Sequence, residues 1–391
     1  MMVVVKVVAT AILVVVVILA LAIMIVPRFL DRIYYRGPAS DHFDGGRFFN
    51  PDGDAETFAP PAGNSRAGFL WRYLTKRDGR PPWPDHVAIA PIAPPPRVEG
   101  DRMVVTWVGH ATVLIQTQGL NILTDPIWSN CAGPFGLLGP TRTTEPGIAF
   151  DALPRIDIVL VSHNHYDHLD LATLKRLWTR DRPRIVTSLG NDSIIAQTGA
   201  TATAIDWGGS VVVKPGVTII ATRAHHWTSR WFTDRNRALW SGFVVQLPSA
   251  GNLYFAGDTG FGDGRWAREA AAHGPIRLAL LPIGAFRFTP GQMAIAAHMG
   301  PIDAADAYRL TGAARAIPVH WGTFRLSYEA YDTPPKLLAA AMTCTGQRGF
   351  DPVAIGRPVD IAPYAPPAPL AAMSRARLLA CLDTPAVRAL E

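Results

Sequence analysis

An α/β layered domain behind an apolar N-terminal helix is what this sequence predicts, and three observations predict it. Short β-rich runs alternate with helical stretches over roughly 260 residues, from Asp101 to about residue 360. A cluster of histidines and an aspartate, VSHNHYDHLD at residues 161–170, sits where one apolar run ends and a helical pattern begins. The first 26 residues are almost uninterruptedly apolar.

Composition sets the outer bounds. Of the 391 residues 49% are apolar and 17% charged, which excludes disorder over most of the length and allows a sizeable core. The net charge of +6 favours anionic partners such as lipid headgroups or phosphates. Lysine and arginine are scattered, with no clustered basic arm, so no nucleic-acid partner is expected. No solenoid-period repeat is present. The three widely separated cysteines, Cys131, Cys344 and Cys381, give neither a disulfide framework nor a zinc ribbon and lean towards a reducing compartment.

Four segments follow in order. Residues 3–26 carry Lys6 as their one charge and are long enough to cross a bilayer, which predicts a single-pass anchor of the bacterial inner-membrane type. A cleaved signal ending near Ala20-Leu21-Ala22 is the alternative, but the apolar run continues past it. Lys6 and the amino terminus flank one side and Arg28, Arg32 and Arg36 the other, which tips the domain that follows towards the cytoplasm. Residues 27–100 form an extension and linker. Its PIAPPP (91–96) is a stiff spacer, and its FLWRYLTKRDGRPPWP (69–84) is suited to a membrane interface or a short packed helix.

Residues 101–360 form the main α/β domain. MVVTWVG, ATVLIQT and LNILTD are short strands between glycine turns. IDIVLVS is a buried strand that delivers the histidine cluster, and Asp170 caps the helix after it, with Leu171, Leu174, Leu177 and Trp178 at helical spacing. RIVTS, VVVKPGVTIIAT, SGFVVQL, NLYFAGD and LALLPIG continue the strands, and a helix is expected around Pro301 to Leu310. Residues 361–391 are a Pro/Ala-rich tail ending in a short helix.

The cluster carries the chemistry. His163-x-His165-x-Asp167-His168 packs imidazole and carboxylate donors, the ligands zinc takes, into one loop at a strand end. Histidine suits other transition metals as well. Four donors exceed what one catalytically open tetrahedral ion takes from a single loop, so the spacing points to two metals. Further donors recur at strand ends downstream: Asp258 after LYFAG, His320 after AIPV, and His225 or His226 in ATRAHHW. Glycines around Asp258 would let the backbone approach the site closely.

HNHYDH, GDTG and the strand-end histidines resemble the metallo-β-lactamase superfamily. Taken together, TWVGHATVLI, LTDPIW, VSHNHYDHLD, HHW, FAGDTGFGDG, LPIGAF and IPVHWGTF, spread over Arg97 to Leu326, look most like its N-acylphosphatidylethanolamine-hydrolysing phospholipases D. The resemblance implies a four-layer αββα sandwich with two zinc ions, iron or manganese being alternatives. One ion would be held by His163, His165 and His226, the other by Asp167, His168 and His320, with Asp258 bridging both and catalytic. His226 is preferred to His225 because the family's histidine directly precedes the tryptophan. By the same resemblance His110 and Asp125 support the ligands and His298 is catalytic, engaging substrate, while Arg287, at a position where the family pattern is not kept, is expected to contact the substrate phosphate. The stretch after LPIGA departs from the phospholipase pattern.

The expected reaction is hydrolysis of a membrane phospholipid, N-acylphosphatidylethanolamine, to phosphatidic acid and an N-acylethanolamine. Hydroxide generated between two divalent ions would attack phosphorus. A sugar-phosphate lactonase or another phosphodiesterase on the same scaffold keeps every ligand and changes only the pocket. A catalytically silent, membrane-tethered binder would have no need of all seven ligands.

Overall fold

In the computed structural model, residues 2–30, 32–53, 71, 72, 75, 79–231, 233–288, 297–371 and 373–390 are described. Seven of the sixteen residues of the aromatic-basic stretch 69–84, and the departing stretch after Phe288, lie outside them.

The strands are β1 (Met103–Gly109), β2 (Thr112–Thr117), β3 (Leu120–Thr124), β4 (Ile158–Val161), β5 (Arg184–Ser188), β6 (Ala202–Ile205), β7 (Ser210–Lys214), β8 (Val217–Thr222), β9 (Gly242–Gln246), β10 (Asn252–Phe255), β11 (Ile276–Pro282), β12 (Arg315–Val319) and β13 (Pro358–Ile361). They form a seven-stranded sheet in the order β13-β1-β2-β3-β4-β5-β6 and a six-stranded sheet in the order β12-β11-β10-β9-β8-β7.

The period-two alternation of side chains explains why two sheets face each other. Met103, Val105 and Trp107 of β1, Ile158 and Leu160 of β4, and Phe243 and Val245 of β9 meet in the central core. Their neighbours Val159, Val161 and Val244 point the other way, under helices. Strands buried on both faces read as continuous apolar runs, as LALLPIG and IDIVLVS do.

The helices are α1 (Met2–Leu30), α2 (Leu171–Asp181), α3 (Asn191–Ile195), α4 (Arg265–Ala271), α5 (Pro301–Thr311), α6 (Thr333–Thr345), α7 (Arg375–Leu382) and α8 (Pro385–Arg388). Leu174 and Leu177 of α2 and Ile194 and Ile195 of α3 cover the outer face of the first sheet. Trp266 of α4, Ala304 and Tyr308 of α5, and Leu338 of α6 cover the second. The result is the four-layer αββα sandwich. Asp170 caps α2 as expected, its side chain accepting from the N–H groups of Ala172 and Thr173.

Strand direction decides where the chemistry collects. β1, β3 and β4 run the same way in one sheet, as do β8, β10, β11 and β12 in the other. Their C-terminal ends share one edge of the sandwich, and the loops that follow them carry every donor-bearing motif.

Three findings differ from the sequence reading. Cys344 and Cys381 form a disulfide with Cα atoms 5.9 Å apart, which corrects the expectation of unpaired thiols. Packing of α7 on α6 brings together two cysteines 37 positions apart, a proximity that spacing does not reveal. The 91–96 stretch is strapped to the domain: Ile92 N–H donates to the Gly356 carbonyl, and the Gln116 side chain donates to the Pro95 carbonyl. The extension also packs: Phe43 and Phe48 join Trp240 in a small core of their own.

Candidate metal centre

Seven donors meet at that edge. The ring nitrogens of His163, His165 and His226 lie within 4.8 Å of one another, and those of His168 and His320 form a second such group with Asp167 and His110. Asp258 sits between the groups. Its Oδ2 is 3.0 Å from both His168 Nε2 and His320 Nε2, 4.0 Å from His163 Nε2 and 3.9 Å from His226 Nε2. The structure gathers all seven sequence-selected residues at one edge; Asp125 with His163 and His168, and His226 with Asp258 and His298, form two further, overlapping groups.

Surrounding bonds aim the imidazoles. His168 Nδ1 pairs with Asp125 Oδ2 at 2.6 Å, His163 Nδ1 with the Ser162 hydroxyl at 2.9 Å, and His226 Nδ1 with the Ala297 carbonyl at 2.7 Å. Each leaves Nε2 pointing inward. Asp125 also accepts from the Ser162 N–H and hydroxyl, so one buried carboxylate orders the start of the cluster loop. His110 Nε2 lies 2.9 Å from Asp167 Oδ2, and its backbone carbonyl accepts from the His320 N–H. His298 is buried, with Nδ1 3.9 Å from Asp258 Oδ2.

The fit to cations follows from the chemistry of these donors. His163 Nε2 and His165 Nδ1 are 2.8 Å apart, and His226 Nε2 is 3.3 Å from the same His165 atom. His163 and His226 both turn Nε2 to the same His165 nitrogen, and a single proton on that nitrogen can serve only one of them, whereas a shared cation serves all three. His165 Nε2 and Asp258 Oδ1 are buried without a hydrogen-bond partner, an arrangement costly in a protein interior unless another group satisfies them.

Protonation points the same way. Burial pushes His165 and His226 down to about 3 and holds His163 well below the ordinary range, so these rings are neutral donors. Burial also opposes charge on His168 and His320. The carboxylates of Asp258 and Asp167 overcome it, raising His168 well above its usual value and His320 to about 9. Against its own burial, Asp258 is held well below the usual carboxylate range by those two histidines. The pocket demands positive charge beside its carboxylates.

Backbone geometry supports the approach. Gly257 has φ +63, and a Cβ there would lie 2.7 Å from Ser162 Cβ and 2.9 Å from the Ser241 carbonyl oxygen. Only glycine lets the strand-end turn carrying Asp258 close on the loop carrying His163. Gly257→Ala is expected to lower metal occupancy and to reduce activity about a hundredfold with secondary structure retained. Wild-type metal content in that variant would contradict the assignment. His110, Asp125, Ala285 and His320 also have positive φ, at 52°, 29°, 58° and 65°.

A cavity of about 370 Å³ opens over the donors, lined by His165, Asp167, Asp258 and His298 on its polar side. Trp227, Phe288 and Leu326 supply the apolar side. Trp227 was legible from its place after His226; Phe288 and Leu326 carried no signal. Arg287 departs from expectation. Its guanidinium donates to the Leu390 carbonyl at 3.2 Å and it does not line the cavity. The left-handed turn at Ala285 and the bond from the Arg287 N–H to Glu329 Oε2 set the local direction, which puts Phe288 at the cavity wall. His225 turns away to Asp52, 2.9 Å from its Nδ1, and Asn50 donates to the carbonyl of His226, so the N-terminal extension braces this donor loop.

Comparison with known proteins agrees with this architecture. The profile described as Beta-lactamase superfamily domain matches residues 120–321, more than half of the chain. The N-acyl-phosphatidylethanolamine-hydrolyzing phospholipase D 1 of Caenorhabditis elegans is 36% identical over 245 residues, 60% of this chain and 68% of that protein. A UPF0173 metal-dependent hydrolase of Nitratidesulfovibrio vulgaris is 32% identical over 227 residues, 56% of this chain and 80% of that one. Among solved structures, the isothiocyanate hydrolase from Delia radicum gut bacteria superposes with a TM-score of 0.53 at 18% identity, covering 66% of this chain and all (100%) of that one. With its two facing sheets and the donors collected at one edge, the chain belongs to the metallo-β-lactamase superfamily and is a metal-dependent hydrolase of that fold.

Proposed function

We propose that the protein is a dinuclear zinc phosphodiesterase of phospholipase D type, cleaving N-acylphosphatidylethanolamine to phosphatidic acid and an N-acylethanolamine. The observation that carries the two-ion reading is the position of Asp258 Oδ2 between two complete donor groups. The lipid reading is supported by the likeness to the C. elegans enzyme and by a cavity with one polar and one apolar side. His163, His165 and His226 would hold one ion, Asp167, His168 and His320 the other, and Asp258 both. Ions in this setting lower the pKa of water and take up charge on phosphoryl oxygens.

The chain's own residues do the rest. Asp258 stays ionised, and its buried Oδ1, without a protein partner, is placed to accept a hydrogen bond from the attacking water. The water oxygen forms a bond to phosphorus while the bond from phosphorus to the ethanolamine oxygen breaks, and that oxygen takes a proton. His298, buried on the cavity wall, orients the substrate. Trp227, Phe288 and Leu326 exclude water and hold apolar groups. The described residues lining the cavity include no lysine or arginine, so ions held by the His163 and His168 groups would supply the positive charge facing the phosphate.

That feature also favours the second reading, a lactonase or other phosphodiesterase on the same ligand set. Mass-spectrometric product analysis on N-acylated phosphatidylethanolamine, ordinary phosphatidylethanolamine and a lactone separates the two. Release of N-acylethanolamine is the expected result. Turnover of the lactone alone would replace the lipid with the second reading.

We read α1 as a membrane anchor. Its stretch Val5–Ala22 has a mean hydropathy of 2.9 and is unburied. The Cys344–Cys381 disulfide favours an oxidising compartment for the catalytic domain, against the weak cytoplasmic lean of the flanking charges. Thiol labelling of intact cells' protein, quenched with acid, should find these two cysteines reactive only after reduction; free thiols at both positions would return the domain to the cytoplasm.

A further inference from the structure

Outside the metal site, among the described residues, the chain carries an apolar loop whose tip faces solvent. Residues 133–139, GPFGLLG, project from a closed stem in which Ala132 N–H donates to the Pro140 carbonyl and Cys131 pairs with Thr141. Gly133 and Gly139 let the two arms touch: a Cβ on Gly133 would overlap the Leu138 carbonyl. The turn inside is built with Phe135 at φ 59, so its shape is set by the backbone. At its tip Phe135, Leu137 and Leu138 are 79%, 78% and 67% exposed. Among the described residues of the domain, other exposed large apolar side chains such as Val212 and Ile92 are scattered singly.

The surroundings say what covers it. Phe135 lies 6.1 Å from the ring of Trp231, and both line a second cavity of about 390 Å³ together with Tyr34, Tyr166 and Arg230. Tyr166 lines the metal cavity as well, so the loop and the reaction site share a wall. Tyr34 is fixed to the domain by its hydroxyl, which donates to Asp234 Oδ2 at 2.8 Å. Only four positions separate Tyr34 from Leu30, the last residue of α1, and four residues span at most about 14 Å in any conformation. Arg32 and Ile33 within that short connection, and Arg36 just after Tyr34, are exposed, cations and an apolar side chain suited to anionic headgroups and the boundary beneath them.

We propose that the loop 133–139 docks into the lipid bilayer surface and, with the Arg32–Arg36 segment, holds the mouth of the metal cavity at headgroup depth. The short tether leaves an anchored domain little freedom: the Tyr34 side must face the bilayer, and the loop is an exposed apolar surface beside the cavity that Tyr34 lines. The inference rests on the anchor and lipid-substrate readings above and adds the surface through which substrate is met.

The test uses the full chain reconstituted into phosphatidylcholine–phosphatidylglycerol vesicles. Leu137→Cys and, as a distant control, Val212→Cys are labelled with an environment-sensitive fluorophore; the native Cys131 is buried and the other two cysteines are paired. The probe at 137 is expected to shift to the blue and to be quenched by doxyl-labelled lipid, and the probe at 212 to do neither. Equal, water-like emission at both sites would overturn the proposal. So would a shift at 137 that ignores doxyl lipid and grows with protein density, which would assign the loop to a second copy of the chain. In parallel, Leu137→Ser/Leu138→Ser is expected to lose about tenfold in turnover of N-acylphosphatidylethanolamine in vesicles while hydrolysing a soluble aryl phosphodiester at the wild-type rate. An equal loss on both substrates overturns docking as the cause. Lipid quenching at 137 without any phospholipid turnover by the wild type supports docking and sinks the substrate reading instead.

Discussion

Replacing Asp258 with alanine is expected to reduce hydrolysis by about four orders of magnitude in kcat while the protein stays folded. The carboxylate is within 3.0 Å of one ring in each direction across the second donor group and within 4.0 Å of the first. Its loss removes the one anion common to both groups and the larger of the two carboxylate charges that raise His168 and His320, leaving Asp167 alone. Asp258→Asn separates shape from charge: it fills the same space and should be nearly as inactive. Metal analysis belongs beside the kinetics, since both variants are expected to hold fewer than two ions per chain. Either variant retaining about a tenth of wild-type activity with full metal content would remove Asp258 from its bridging role.

Stripping the ions with a chelator is expected to lower Tm by about 10 °C, and returning zinc should restore it. The argument is topological. His163, His165, Asp167 and His168 follow β4 of the first sheet, whereas His226, Asp258 and His320 follow β8, β10 and β12 of the second. An ion held by both sets ties the sheets together, and ligand bound only by the folded state stabilises it by about 4 kcal/mol at a thousandfold excess over Kd. Differential scanning calorimetry with and without chelator measures it. An unchanged Tm after verified metal loss would mean that the cluster does not bridge the two sheets through metal.

The half of this centre that lies in one loop could be read directly, because His163, His165, Asp167 and His168 are neighbours in sequence and the strand before them fixes their position. Asp258 and His320 were legible through a second rule, that donors following buried strands collect at one sheet edge. Arg287 was not, because its direction depends on the left-handed turn at Ala285, which no residue type announces. The disulfide was hidden for a similar reason: it depends on how α7 lies on α6. GPFGLLG would pass in any sequence for a piece of core, and only its closed stem turns those side chains outward. Motif and period gave the layers, then; the walls of the cavity came from folded backbone.

His110, Asp125, Ala285 and His320 adopt left-handed conformations that cost a side-chain-bearing residue about 1–3 kcal/mol each, and all four stand at the metal edge. Strain of that size in the frame of the site restricts how this scaffold can change over evolutionary time. A substitution that relaxed one of these turns would stabilise the chain and misplace a donor. The donor frame is therefore rigid by inheritance. New substrates are open to such a protein mainly through Trp227, Phe288 and Leu326, the wall residues that hold no donor and bear none of that strain.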